Sequence, residues 1–353
     1  MRTCKGATGA ALSALLLSTA AGAASESLDA GQAQIIRNAI NVEDLVQIND
    51  SWIIGSSFSI ENKPTGLYLF NIRDRQPQKV DWRQVRVTPD KTAFPDCPGA
   101  PNFARLSTHG LDYYRDAGRL YVVNHGGRES VEVFAISAEN NARPTLSWQG
   151  CVVAPHNAWF DAVAGLSDNQ MIISSLWDPT DAQRNPKLNA RKPVGGLYRW
   201  SPQEGFQPVK GSESLSGPNG VLASRDGKTV WVAAWAEKAL VRIDTNGSAP
   251  RVHKTAVDYH PDNLRWSPDG RQIIAGGQAT SLDTLFACLE DSAPVCPGIN
   301  QRLDVLNPVT MKTTPLLSAT PISGMNAGTG AILANGEYWL SSFKNNAIAV
   351  IPQ

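Results

Sequence analysis

Six times along the 353-residue chain the same pattern returns: a polar or small pair, a short apolar run, a turn carrying Asp, Asn or Gly, and a second apolar run. It opens at Glu43-Asp44 and runs on to Trp52-Ile53-Ile54-Gly55. It returns from His109-Gly110 to Leu120-Tyr121-Val122-Val123, and from Phe160-Asp161 through Ser167-Asp168-Asn169 to Met171-Ile172-Ile173. The later copies open at Asn219-Gly220, Asp262-Asn263 and Thr329-Gly330, and turn at Asp226-Gly227, Asp269-Gly270 and Asn335-Gly336. Asp-Gly and Asn-Gly between apolar runs mark β-hairpins, because both residues accept the positive φ that a tight turn demands. A third apolar run follows several copies, at 196–200, 239–243 and 347–351. Roughly 55 residues per copy is ample for four strands, and six such units arranged radially make a six-bladed β-propeller. The expected architecture is therefore all-β, one propeller domain over 26–353. A two-sheet sandwich would give no reason for six equivalent openings.

In a propeller the innermost strand of each blade runs along the central channel, so equivalent positions on those strands meet at its mouth. Here they hold Glu43, His109, Phe160, Asn219, Asp262 and Thr329, followed by Asp44, Gly110, Asp161, Gly220, Asn263 and Gly330. Carboxylate and amide oxygens dominate this ring, and hard oxygen ligands in a roomy cage suit calcium better than zinc or magnesium. His109 in the same ring could act as a general base on water, with His125 at the end of the next strand orienting it or relaying a proton. His156, His253 and His260 fall in loop-like stretches and receive no role.

Charge and composition remove other classes. Lys plus Arg and Asp plus Glu are 32 each, so the chain lacks the basic excess that nucleic-acid binding requires. No uninterrupted apolar run after residue 25 is long enough to span a membrane. Residues 1–25 read as a secretory leader: Arg2 and Lys5 precede an apolar stretch, and Ala21-Gly22-Ala23-Ala24 offers small residues for cleavage. The mature protein is expected to be periplasmic or secreted. Removing Cys4 leaves Cys97, Cys151, Cys288 and Cys296, an even set that allows three pairings in an oxidising compartment. Cys288 with Cys296, close in sequence, is the economical pair and leaves Cys97 with Cys151.

These residues resemble the paraoxonase/arylesterase lactonases, within the wider gluconolactonase and strictosidine-synthase-like group. The resemblance is carried by Glu43-Asp44-Leu45, His109-Gly110-Leu111, Leu120-Tyr121-Val122-Val123-Asn124-His125, Val131-Glu132-Val133-Phe134, Asp161-Ala162-Val163-Ala164, Pro218-Asn219-Gly220 and Asp262-Asn263. It implies a six-bladed propeller with two calcium ions in its tunnel. By that resemblance Glu43, Asn219, Asp262 and Asn263 hold a catalytic calcium. Asp44, Asp161 and the backbone oxygen of Leu111 hold a structural one, and His109 with His125 form the proposed dyad. Calcium in such enzymes polarises the ester or lactone carbonyl while a histidine-assisted water attacks. Phe160 departs from the pattern, standing where the family carries a further asparagine ligand, and Asn157 lies three residues upstream of it. The cysteines are not spaced like the animal enzymes' terminal-joining disulfide.

Three functions follow: a calcium-dependent lactonase or arylesterase, a gluconolactonase-like hydrolase with a single divalent metal, and a propeller that binds a ligand or partner without chemistry. Metal stoichiometry separates the first two. The long segments 177–193 and 280–300 are expected to cap the channel and set specificity. The first, with Asp178, Asp181, Arg184, Lys187, Arg191 and Lys192, is too polar for a membrane-seated helix, and a monomer without a membrane anchor is expected. Trp159, Phe160, Trp177 and Trp235 near the expected mouth point to an apolar acyl or aryl group on a small ester or lactone.

Overall fold

The computed structural model describes residues 1, 3 and 27–353; the leader expected over 1–25 otherwise lies outside the described residues. Six antiparallel sheets follow one another along the chain. Their innermost strands are Val42–Asn49, Thr108–Tyr114, Trp159–Gly165, Pro218–Ala223, His260–Trp266 and Gly328–Ala334. Each of these packs on the next and the last packs on the first, so the sheets close into a six-bladed propeller. Five sheets have four strands, and the second adds a short fifth strand, Arg86–Val87, pairing parallel to Thr145–Val153.

The turn residues act as their chemistry requires. Asn335 (φ 50°) and Gly336 (φ 77°) join Gly328–Ala334 to Glu337–Ser342 as a two-residue loop with both φ values positive, the geometry whose twist matches that of the flanking strands. The ring is closed by a strand that the repeat did not reveal. Gln34–Arg37 pairs antiparallel with Ala347–Pro352, so the N-terminal segment supplies the outer strand of the last blade. This holds the two ends of the repeat together across a seam that would otherwise expose a strand edge.

The innermost strands share one irregularity. Pairing with the second strand slips by a residue between Val42 and Asp44, Thr108 and Leu111, Phe160 and Val163, Pro218 and Val221, Pro261 and Leu264, and Gly328 and Ala331. A bulge re-aims the side chain it carries, so all six blades turn one residue out of the pleat at the same level of the channel. Those residues are Glu43, His109, Asp161, Asn219, Asp262 and Thr329. This corrects the expected ring in the third blade: Phe160 precedes the bulge, as Pro218 and Pro261 do, and Asp161 takes the ring position. Phe160 is fully buried in the core between blades, beside Leu111 and Tyr121. The position after the turned residue must be slim where blades touch. A Cβ on Gly110 would lie 2.3 Å from the carbonyl oxygen of Asp161, and one on Gly220 2.3 Å from that of Asp262, which accounts for the recurring x-Gly opening.

Both expected cysteine pairs are present, with Cα–Cα distances of 5.1 Å for Cys97–Cys151 and 5.7 Å for Cys288–Cys296. The first ties a loop to the outer strand Thr145–Val153; the second staples the segment that covers the channel. No helix among the described residues is long and apolar enough to cross a membrane.

Candidate active site

Five of the six bulge residues, Glu43, His109, Asp161, Asn219 and Asp262, line the floor of one pocket at the channel mouth, a cavity of about 50 Å³. Thr329, the sixth, is tied up structurally, donating to the Glu43 carbonyl and sharing a hydrogen bond of 2.8 Å with Ser341. The segment 280–300 does cap the pocket: its helix Leu282–Glu290 sets Leu285 and Leu289 over it. From 177–193 come Trp177 on the pocket wall and Leu188 in the apolar cluster of the roof, where Cys288 and Cys296 also sit. Trp159, Trp177 and Trp235 are walls as expected, joined by Phe58, Leu176 and Phe343. Phe160 is not.

His109 and His125 meet, with 3.1 Å between His109 Nδ1 and His125 Nε2. Sequence reasoning missed what lies behind them. His125 Nδ1 is 2.8 Å from Glu129 Oε2, and the other oxygen of that carboxylate accepts from the backbone N–H of Phe160 at 2.7 Å. Aromatic faces hold both imidazoles: Phe58 stacks on His109 at 4.4 Å between centroids, and Trp159 stacks on His125 at 4.2 Å. A carboxylate accepts only, so the hydrogen-bond pattern assigns a proton to His125 Nδ1. With both rings neutral, His125 Nε2 then accepts from His109 Nδ1–H, and the lone pair of His109 Nε2 is left facing the pocket. Burial, with the neighbouring His125 second, holds His109 well below the ordinary imidazole range, which favours that neutral form.

His109 Nε2 is 3.7 Å from Glu43 Oε2. Glu43 Oε2, Asp161 Oδ2 and Asn219 Oδ1 are all buried, and none has a hydrogen-bond partner. Burial pushes the Glu43 carboxyl well up, and the charges of Asp262, Asp44 and Asp161 push it further. Asp161 is likewise raised by burial and by Asp262, Asp44 and Glu129. Asp262 is pushed up to about 7 by burial, although Gln278 donates to its Oδ2 at 2.6 Å. Two bare carboxylate oxygens and a bare amide oxygen at one pocket floor fit a hard divalent cation, since buried polar atoms are costly unless something satisfies them. Among the described residues no three His, Cys, Asp or Glu side chains stand close enough to form a metal cage by themselves; the amide of Asn219 belongs to the unpartnered set. Asn263, expected as a ligand, donates from Nδ2 to both the side chain and the carbonyl of Glu43, at 2.6 and 3.1 Å, and so positions that carboxylate.

The residues expected to hold a second, structural calcium do not fit one. Asp44 and Leu111 come together, but the guanidinium of Arg265 lies between them, donating from Nη2 to Asp44 Oδ2 and, at 2.8 Å, to the Leu111 carbonyl. Asp44 also accepts from the backbone N–H groups of Leu45 and Leu111, each at 2.8 Å. Asp161, the third expected ligand, lines the pocket above. Nothing in the repeat singled out Arg265, Glu129 or Gln278; each acts across blades or from outside the repeated segment.

No protein-family model matches the chain, and no curated protein matches it in sequence. Solved structures match in fold. A gluconolactonase-type protein aligns over 93% of this chain and 94% of its own at 15% identity, with a TM-score of 0.53. A luciferin-regenerating enzyme aligns over 91% and 95% at 9% identity, TM-score 0.53. A catalytically inactive variant of virginiamycin B lyase from Staphylococcus aureus aligns over 91% and 99% at 12% identity, TM-score 0.50. At these identities the likeness is one of fold, over about nine-tenths of this chain.

Proposed function

We propose that the protein is an exported hydrolase of lactones or aryl esters that uses a divalent cation, calcium by the oxygen chemistry of its floor. The observation that carries this reading is the row of unpartnered oxygens on Glu43, Asp161 and Asn219 beside His109 Nε2, at the bottom of an aromatic-walled pocket. Two disulfides are in keeping with export. Among the fold neighbours, the gluconolactonase-type protein is in keeping with lactone chemistry, although propellers host several unrelated reactions.

Glu43, Asp161, Asn219 and Asp262 would hold the cation. Bound there, it would supply positive charge to a substrate carbonyl and to the oxyanion formed from it. The chain's own groups do the rest. His109 Nε2 takes a proton from the attacking water, and its Nδ1 proton passes to His125 Nε2. Glu129 balances the imidazolium charge that results on His125. Stacking on Phe58 and Trp159 fixes the orientation of both rings, which are tilted 54° to each other. The walls favour an apolar acyl or aryl group over a polyhydroxylated sugar lactone, because Trp159, Trp177, Leu176, Leu285 and Phe343 offer almost nothing to pair with hydroxyls.

The test is calcium content of the purified mature protein, coupled to initial rates on phenyl acetate and δ-valerolactone before and after chelation. Bound calcium with turnover that chelation abolishes and calcium restores is the expected result. Metal-independent turnover would remove the cation from the scheme, and an absence of both metal and turnover would leave a binding propeller.

A further inference from the structure

We infer that the lower channel carries its own cation, the Arg265 guanidinium, and that this arginine excludes a second divalent ion from the axis. The inference rests on the proposed cation at the floor only for the expected count, not for the geometry. Arg265 stands on the innermost strand of the fifth blade. From there it crosses to the first blade, donating from Nε to the Leu45 carbonyl at 2.9 Å and from Nη2 to Asp44, and to the second blade at the Leu111 carbonyl. In a ring of six, the second and fifth blades face each other, so the guanidinium lies across the axis beneath the pocket floor. Its side chain is only 11% exposed, and that of Asp44 2%.

The place has the donors of a cation site, a buried carboxylate and a main-chain carbonyl, already filled. Asp44 and Arg265 form a neutral pair with the carboxyl of Asp112 close by, and a divalent ion would have to displace the guanidinium from the same oxygens. Both carboxylate oxygens of Asp44 are engaged, Oδ1 by the Leu45 N–H and Oδ2 by the Leu111 N–H and Arg265. The rigid fork of arginine supplies what a point charge cannot, directed bonds to four acceptors at once, Leu45, Asp44, Leu111 and the neighbouring Leu264 carbonyl. The register makes the residue stand out: the positions equivalent to Arg265 in the other blades hold Val46, Asp112, Ala164, Leu222 and Ile332, with no other cation. The clamp joins three blades without metal, so the lower channel stays assembled when the floor is stripped.

Calcium chloride titrated calorimetrically into chelator-treated protein, with the bound metal counted after desalting, tests this. The expected counts are one equivalent for wild type, two for Arg265→Met, and one again for Arg265→Met combined with Asp44→Asn. Two equivalents in wild type, or no gain in folded Arg265→Met, overturn the inference. Should Arg265→Met fail to fold, the wild-type count decides: one equivalent supports the inference and two refute it. A wild-type count of zero with one equivalent gained by Arg265→Met would sink the cation at the floor while upholding the role of Arg265.

Discussion

Glu129→Gln is the most discriminating single change, because an amide cannot do what both oxygens of this carboxylate do. In the native chain Oε1 accepts from the Phe160 N–H and Oε2 from His125 Nδ1. Glutamine keeps one acceptor. If its oxygen stays with Phe160, its NH₂ faces His125 and requires a lone pair on Nδ1. The His125 proton then moves to Nε2, His109 must accept it at Nδ1, and His109 Nε2 turns a proton instead of a lone pair toward the pocket. If the oxygen swings to His125, the reactive tautomer survives, but the Phe160 N–H is left buried and unpaired at about 1–3 kcal/mol. The productive arrangement is thus about 1–3 kcal/mol uphill. Losing a charged acceptor behind the imidazolium adds roughly 1 kcal/mol more. At about 1.4 kcal/mol per decade, kcat/KM should fall on the order of 10²-fold. Initial rates on phenyl acetate from pH 6 to 9 would measure it, alongside a thermal melt and a calcium count on the same sample. A folded variant with wild-type calcium and kcat/KM within about threefold of wild type would refute the relay.

Three further outcomes follow from the same geometry. His109→Gln should keep its calcium and cut kcat by roughly 10²–10⁴-fold, the range for a lost general base; unchanged turnover would show that another group takes the proton. Asp262→Ala should lose calcium and activity together, measured by metal analysis and ester hydrolysis, since it removes an oxygen from the floor and leaves one N–H of the Gln278 amide without its acceptor. Chelated protein should lose stability as pH rises from about 4 to 7. Asp262, pushed up from 3.8 to about 7, keeps its proton when folded through a range where the unfolded chain has released it, a cost of about 4 kcal/mol for this group alone. Glu43 and Asp161, raised in the same direction, add to it. Melting temperatures at pH 5 and 7.5 check the sign, and calcium should flatten the trend; chelated protein that melts higher at pH 7.5 would contradict it.

The repeat was legible because its punctuation is physical. Asn335-Gly336 is a turn that few other pairs can make, and the glycines of His109-Gly110 and Asn219-Gly220 are where one innermost strand presses on the next. The ring was misread in the one blade whose second bulge position is Ala162, neither glycine nor a polar residue. A bulge breaks the two-residue alternation that would otherwise say which side chains face the channel, and without a marker the register fell one residue short, on Phe160. Outside the repeat the sequence gives no such guide. Glu129 acts through His125 from a loop between strands, and the closing strand Gln34–Arg37 is too short to carry a pattern. Arg265 beside Trp266 looks like an ordinary polar residue at a strand end until three blades are brought around it. The shift of one residue has a chemical consequence. With Phe160 in the ring, the floor would carry an aromatic ring where an oxygen is needed. With Asp161 there, four of the floor positions present oxygen atoms, three of them in successive blades, and the aromatic residue returns to the core, where its backbone N–H fixes the carboxylate behind the histidines.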